Sequence, residues 1–543
     1  RIWEGKVNLL LNSDLNTVDL AQSIAHFGED GRSIALKVWE AAGFDRDSAD
    51  ALYEIALLNR AESPKFFFQK AKEAGVETRY IKTARSEAAE GAEGIDSHDW
   101  TITWPDDLDE QEDFDEWKYR EQIFAYSFIE HKNCIWYAAF DNSKRDIGFF
   151  RISNFTIRPL YLIKSKTDPK RLFEVKNIFG VKYILDIPAK ALVSMTEFQV
   201  FCESHGNFLF EGSKQQFTKI KRKLYDQTKD AEEVKLLGWQ DEGFYAFANG
   251  AYEEKFTKVD EYGIIKHLVA KNEEEAEEKY FFIPAMSSIY KDEKDQYDLE
   301  KKFVFIKRDV KFTDWAQLFY EVFGENAVIG MSFYISALFR DMIYSRFKFF
   351  PHLFHFGPPG TGKSTMCWAI QYMFGLERKP FMLNAGTPVG FHRTFAQFRN
   401  AVVWFDEYNN SIEFKRVQDL KSAYDGAGHV KGEWSASGGS SNRTTTTPVE
   451  SACNISGQEL PIADNALFKR CILLQYHQTI FSDAEKERLN RLQKLQEKGL
   501  SHITGALTRF RQKMEADYFK TFDEVEREIL KALGEDPTIE SRI

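Results

Sequence analysis

The sequence predicts an α/β protein built on a parallel sheet, with a helical N-terminal region, a mixed α/β middle domain and a helical C-terminal region. Three observations predict it. The segment PHLFHFGPPGTGKSTMCWAIQYMFG (351–375) passes from an apolar strand through a glycine-rich loop into a helical pattern. Between 346 and 478 apolar strand-like runs alternate with helical stretches, as strand–helix–strand units on a parallel sheet require. At both ends of the chain apolar residues recur at spacings of three and four, the period of an amphipathic helix.

In chain order, 1–86 reads as helices, carried by SIALKVWEAAGF and SADALYEIALLNRAESPKFFFQKAKEAG. Residues 87–117 form an acidic run with few aliphatic side chains, read as a solvated linker. From 118 to 290 runs such as NCIWYAAF, GFFRIS, RPLYLIKS and KYILDI alternate as strands do, with a helix expected at FTKIKRKLYDQT. That helix is basic and reads first as a solvated face, second as a track for a nucleic-acid backbone. A helical lead-in over 291–345 reaches the parallel-sheet core at 346–478, and 479–543 is charged and helical.

The chain of 543 residues, 43% hydrophobic with 48 Phe, is long enough for three or more folded domains of about 100–200 residues each. A formal net charge of −12 excludes a generally basic surface, so any nucleic-acid contacts must be local. The five cysteines show no C-x-x-C pair and no zinc spacing, which predicts reduced thiols and a cytoplasmic protein without structural zinc. The most apolar stretch, AVIGMSFYISALF (327–339), is shorter than the ~20 residues of a membrane span and predicts a buried helix and no membrane partner. The chain begins at Arg1 rather than Met. Its first segment, KVNLLLNSDLNTVDLAQSIAHFG, reads either as the tail of an upstream catalytic unit such as a primase or as structural filler.

The glycine-rich loop carries the most specific chemistry. Gly357, Pro358, Pro359, Gly360, Thr361, Gly362, Lys363 and Ser364, followed by Thr365, fit G-x-x-x-x-G-K-[ST] between a strand and a helix. Glycines let backbone N–H groups turn onto phosphates at a helix N-terminus. Lys363 is placed to reach the β- and γ-phosphates of ATP, and Ser364 to give its hydroxyl to Mg²⁺. In NAVVWFDEYNN, Val402–Phe405 is expected to be a buried parallel strand, with Asp406 and Glu407 emerging at its carboxyl end. Asp406 is the expected second Mg²⁺ contact and Glu407 the group that polarises the attacking water. VESACNIS ends near GQELP, and a polar residue at this tip is expected to sense the γ-phosphate: Gln458 or Ser456, with Asn454 third. Arg470, in ADNALFKRCILLQY, reads as an arginine that stabilises the transferring phosphoryl group, with Lys469 as the alternative and a surface ion pair as the plainer role.

Together GPPGTGKST, VVWFDE, the strand ending NISGQ and DNALFKRC resemble the superfamily 3 type of hexameric AAA+ helicases, found in small DNA viruses and in primase-helicases of phages and mobile elements. The resemblance spans roughly 340–480. A shorter likeness upstream, LLGWQDEGFYAFANGAYEE (236–254), matches the Gly-Trp segment that precedes the ATPase in related mobile-element proteins. Where the superfamily shows asparagine at the third motif, this chain has Gln458. The resemblance implies an AAA+ core, a homo-oligomeric ring that is most simply a hexamer, ATP bound between subunits with Arg470 acting in trans, and single-stranded DNA as partner during replication.

It also implies a hairpin between the acidic motif and the sensor strand, pointing into the ring's pore. GAGHVKGEWSASGGSSNRTTTTPVESACNISGQE (426–459) occupies that place, and its extended segments flank SGGSS, which supplies a turn glycine. His429, Lys431 and Arg443 are the candidate phosphate contacts and Trp434 the candidate stacking ring, against the plainer reading of a Gly/Ser/Thr surface loop. Two further functional readings compete with a DNA helicase: an AAA+ ATPase that remodels or signals through protein partners, and a scaffold whose assembly is set by nucleotide.

Overall fold

The structure is a computed structural model that describes scattered positions between 22 and 58 and residues 100–533, apart from breaks at 106, 113, 166–168, 271–275, 291–296, 429, 433–443, 447 and 479. The chain divides into two compact units, one of 1–129 with 137–150 and one of 130–136 with 151–543.

In the first unit, helix Arg46–Leu58 buries Ala49, Tyr53 and Ala56, spaced at four and three residues, with Ile24, Ala25, Ala35 and Trp39 in the same cluster. Further along, Thr101–Ile102 runs parallel to Asp146–Arg151.

The second unit opens with a six-stranded mixed sheet, ordered Ile264–Ala270, Ala276–Phe282, Lys229–Glu233, Phe155–Lys164, Lys170–Asn177, Lys182–Pro188. The basic helix expected near 217 is Lys214–Asp226. A Ser213/Gln216 capping box starts it, and it buries Phe217, Ile220 and Leu224 on one stripe.

A separate small sheet carries the Gly-Trp segment. Its order is Phe256–Lys258, Gly250–Tyr252, Tyr245–Phe247, Leu237–Trp239 and finally Phe398–Arg399, a strand taken from the distant core. Leu237 pairs with Phe398 and Gly238 with Arg399.

The core follows. Helices α1 (Phe312–Phe323), α2 (Glu325–Leu338) and α3 (Arg340–Phe347) precede β1 (His352–Phe356), α4 (Lys363–Tyr372), β2 (Phe381–Met382) and α5 (Pro388–Phe395). Then come β3 (Val402–Tyr408), α6 (Phe414–Tyr424), β4 (Ala452–Gly457) and β5 (Cys471–Gln475), and the chain continues through α7 (Asp483–Gln496), α8 (Ser501–Thr508) and α9 (Arg511–Leu533). The sheet order is β2-β3-β4-β1-β5 and every pairing is parallel. Such strands are covered on both faces and read as near-continuous apolar runs, which explains HLFHF, VVWF and ACNIS.

The apolar stretch 327–339 forms most of α2, which buries Ala327, Gly330, Phe333, Tyr334, Ala337 and Leu338 in the core. Among the described residues no single helix is long and apolar enough to cross a membrane. Between β3 and β4, Val430–Gly432 pairs antiparallel with Thr444–Thr446.

A polar brace ties three parts of this unit. Asp341 on α3 accepts two bonds from Arg511 of α9, at 2.7 and 2.9 Å, and one from Asn400 at 2.6 Å. The Asn400 carbonyl accepts from Tyr245 of the small sheet at 3.0 Å, and Arg511 lies over the Trp239 ring. Arg511 and Asn400 hold the Asp341 carboxyl below the usual range against the opposing effect of burial. The small sheet meets the core closely at Gly238, whose φ is +112° and where a Cβ would lie 1.8 Å from the Arg399 carbonyl oxygen. Gly238→Ala is therefore expected to lower stability by about 2–3 kcal/mol, read as a reduced denaturation midpoint. An unchanged midpoint would show that the two strands separate at no cost.

Candidate nucleotide site

The end of β1 leads into the glycine-rich loop, and α4 starts directly after it with Gly362 as its N-cap, making no side-chain cap bond. The first N–H groups of a helix have no intrahelical partners, so this terminus offers donors and a positive dipole end to an anion. Gly357 adopts φ +147° and a Cβ there would lie 2.3 Å from the Tyr476 carbonyl oxygen. Gly360 and Gly362 adopt φ +76° and +94°, conformations that L-residues rarely take.

The loop lines a cavity of about 410 Å³ together with residues from four other segments. Pro359 to Thr365 form one wall; Asp406 and Glu407 from β3, and Gly457 and Gln458 from the end of β4, form another. Gly357 and Pro358 border the site through their carbonyls, which accept from the Lys363 ammonium at 2.7 and 2.6 Å. Burial pulls the Lys363 pKa down from its ordinary value, and the carboxylates of Asp406 and Glu407 oppose that shift.

The acidic pair reaches the cavity through a local irregularity. Adjacent residues of a regular strand point to opposite faces, so only one of Asp406 and Glu407 would face the loop. Here Phe405 pairs with Ile455 but Tyr408 pairs with Gly457, so two residues of β3 oppose one of β4. Glu407 takes up the extra length at φ +60°. Its backbone N–H donates to Asp406 Oδ1 at 2.9 Å, and both side chains line the cavity. The strand therefore runs three residues past the Phe405 expected as its end.

The three sensor candidates separate in space. Gln458 lines the cavity. Ser456 is buried and donates to Asp406 Oδ1 at 2.5 Å. Asn454 is buried one strand-repeat deeper, where its Oδ1 accepts from His355 Nε2 at 2.6 Å. Burial drops the His355 pKa to about 4, so the ring is neutral.

Arg470 is not among the residues lining the cavity. It stacks over Tyr424, donates to the Ala466 carbonyl at 2.9 Å and lies 3.5 Å from Asp425. Lys431 stands on the strand paired with Thr445, while His429, Trp434 and Arg443 lie outside the described residues.

Sequence motifs miss a further wall. Val322 and Phe323 come from the end of α1, Phe481 precedes α7, and Lys486 and Leu489 lie on it. These residues belong to no motif and reach the loop only through packing of α1 and α7. A helical period could show that these helices pack, but not on which ligand.

No protein-family model and no curated protein matches this chain. Among solved structures it is similar to one described as "SCCmec type IV Cch - active helicase", with a TM-score of 0.45 and 13% identity over 76% of this chain and 69% of that chain. A second is "The A form apo structure of NrS-1 C terminal region", with a TM-score of 0.27 and 13% identity over 65% and 68%.

The left-handed backbone at Glu407 costs about 1–2 kcal/mol for an L-residue, offset in glycine by about 0.5–1 kcal/mol of chain entropy. Glu407→Gly is expected to be as stable as the native chain or up to about 1 kcal/mol more stable, measured by chemical denaturation. A clear loss of stability would show that the side chain anchors the bulge.

Proposed function

We propose that this chain is an ATP hydrolase that drives translocation along single-stranded DNA, a helicase of the superfamily 3 type. In this reading it works as a homo-oligomeric ring, most simply a hexamer, in the replication of a phage or mobile element. The observation that carries the reading is the convergence of Lys363, Ser364, Asp406, Glu407 and Gln458 on one cavity at a helix N-terminus.

That cavity supports a division of roles. The loop and the start of α4 cradle the phosphates, and Lys363 leaves the loop carbonyls to meet the β- and γ-oxygens. Ser364 and Asp406 present hard oxygen donors suited to Mg²⁺, whose bound charge would lower the repulsion between phosphates and attacking water. Glu407 accepts a proton from water as the water oxygen bonds to the γ-phosphorus. The bond from that phosphorus to the bridging oxygen breaks, its electron pair leaves with ADP, and phosphate is released. Gln458 contacts the γ-phosphate or the water, and Val322, Phe323 and Leu489 offer apolar surface to the base.

Arg470 does not line its own cavity, which suits an arginine that completes a neighbouring subunit's site. The antiparallel pair at 430–432 and 444–446, inserted between the acidic strand and the sensor strand, suits a hairpin moved by hydrolysis. Lys431, His429 and Arg443 would contact phosphates and Trp434 a base.

Lys363→Ala and Glu407→Gln should abolish ATP hydrolysis. Arg470→Ala should lower kcat by about 10³-fold or more with nucleotide binding retained, and mixing it with Lys363→Ala subunits should restore turnover at mixed interfaces. Normal hydrolysis by Arg470→Ala alone would remove Arg470 from the site. Single-stranded DNA should stimulate the native enzyme, and Lys431→Ala with Trp434→Ala should lose that stimulation while keeping basal turnover. No stimulation of the native enzyme would turn the reading toward a protein-remodelling ATPase.

A further inference from the structure

Ser456 and Trp404 lie in the interior of the sheet, 1% and 4% exposed, yet both carry polar groups that point along a single line to the acidic pair. The Trp404 indole Nε1–H donates to Ser456 Oγ at 2.7 Å, and Ser456 donates to Asp406 Oδ1 at 2.5 Å. An indole N–H can only donate, and an ionised carboxylate can only accept. The one hydroxyl proton of Ser456 therefore has a fixed direction: Trp404 occupies a lone pair and the proton goes to Asp406. The second donor to Oδ1 is the Glu407 backbone N–H at 2.9 Å, so both donors to this carboxylate converge on one oxygen.

We infer that Trp404 and Ser456 are positioning residues, a one-way hydrogen-bond relay that locks Asp406 with Oδ1 held by the protein and Oδ2 presented to the cavity for a divalent cation. The inference rests on the nucleotide-hydrolase reading of the cavity and assigns Ser456 a task other than contact with the γ-phosphate.

Register and packing set up the relay. Trp404 pairs with Asn454 across β3 and β4, so positions 404, 406, 454 and 456 share one face of the sheet. The register of 404 with 454 and 405 with 455 carries on to set Ser456 against Asp406, and the bulge then brings Tyr408 instead of Glu407 opposite Gly457. Trp404 meets Trp368 of α4 at 5.0 Å between centroids and 87° between planes, an edge-to-face contact. Trp368 belongs to the helix that starts at the phosphate loop, so this contact indexes the relay to the loop. Cys367, one residue earlier on α4, is fully buried against Ser456 and Asn454, and burial drives its thiol well above the usual range, so it adds no charge to the relay. His355, which pairs with Ser456 on the adjacent strand, is kept neutral by burial.

Hydrogen-bond partners behind a metal-ligating carboxylate typically change metal affinity by about 10–100-fold when removed. The test measures binding of a fluorescent ATP analogue to the full chain as Mg²⁺ is titrated, with a parallel titration in EDTA, alongside ATP turnover against Mg²⁺ concentration. Ser456→Ala should raise the Mg²⁺ needed for half-maximal binding by about tenfold. Trp404→Phe, which keeps the ring but frees the serine proton to turn away, should raise it by a smaller factor. Ser456→Thr, which restores a hydroxyl, should return it toward the native value, and metal-free nucleotide binding should be the same in all four proteins. Native Mg²⁺ dependence in folded Ser456→Ala or Trp404→Phe would overturn the relay. Equal loss of binding with and without Mg²⁺ would also overturn it, since that marks a packing role alone. If the native chain binds no nucleotide under either condition, the hydrolase reading itself fails, a result distinct from both.

Discussion

The carboxyl ends of β3, β4, β1 and β5 crowd one edge of a parallel sheet, and the site depends on how the chain leaves that edge. Two glycines carry the crowding. Gly357 passes the Tyr476 backbone and Gly457 passes the Tyr408 backbone so closely that an added Cβ would lie 2.3 and 2.5 Å from the respective carbonyl oxygens. With those passages open, the loop after β1 turns inward onto the start of α4, and the end of β4 closes beside the acidic pair. Parallel sheets place their loops for ligands at this edge because every strand delivers its carboxyl end there.

The same edge is where the core gives up apolar regularity. His355, Asn454, Ser456 and Trp404 place polar atoms inside a sheet covered on both faces, and a buried polar group without a partner costs about 1–3 kcal/mol. Most of these atoms are paired: Trp404 with Ser456, Ser456 with Asp406, Asn454 Oδ1 with His355. Hydrogen bonds of fixed direction such as these select one arrangement of side chains where an oily core would accept several. The bulge and the left-handed Glu407 add local strain at the same point, as residues held by their surroundings for chemistry often do.

Distant segments are joined to this core by contacts that no local pattern announces. Leu237–Trp239 borrows Phe398–Arg399 as a sheet partner, and Arg511 reaches Asp341 across 170 residues. Because Asn400 bonds both Asp341 and Tyr245 just before β3 begins, the small sheet and the C-terminal helix bear on the strand that carries the acidic pair. The 236–254 segment, noticed in the sequence for its Gly-Trp pair, owes its glycine to this junction at Gly238.

The sequence by itself determined the glycine-rich loop between a strand and a helix, the apolar strands around it, the position of the acidic pair at a strand end and the helical nature of 312–347 and 483–533. Each is written in local terms: glycines that free φ, apolar runs of strand length, charge at a strand end, or a period of three to four. The antiparallel pairing at 430–432 and 444–446 was legible for the same reason, through extended segments on either side of SGGSS, which lies outside the described residues. Only the tertiary structure decided that both Asp406 and Glu407 face the loop, that Ser456 serves Asp406 while Gln458 meets the cavity, and that α1 and α7 complete its walls. A bulge is set by the register between two strands, a hydrogen-bond direction by three residues on two strands, and a cavity by helices more than a hundred residues apart. None of these distances along the chain leaves a local periodicity to read.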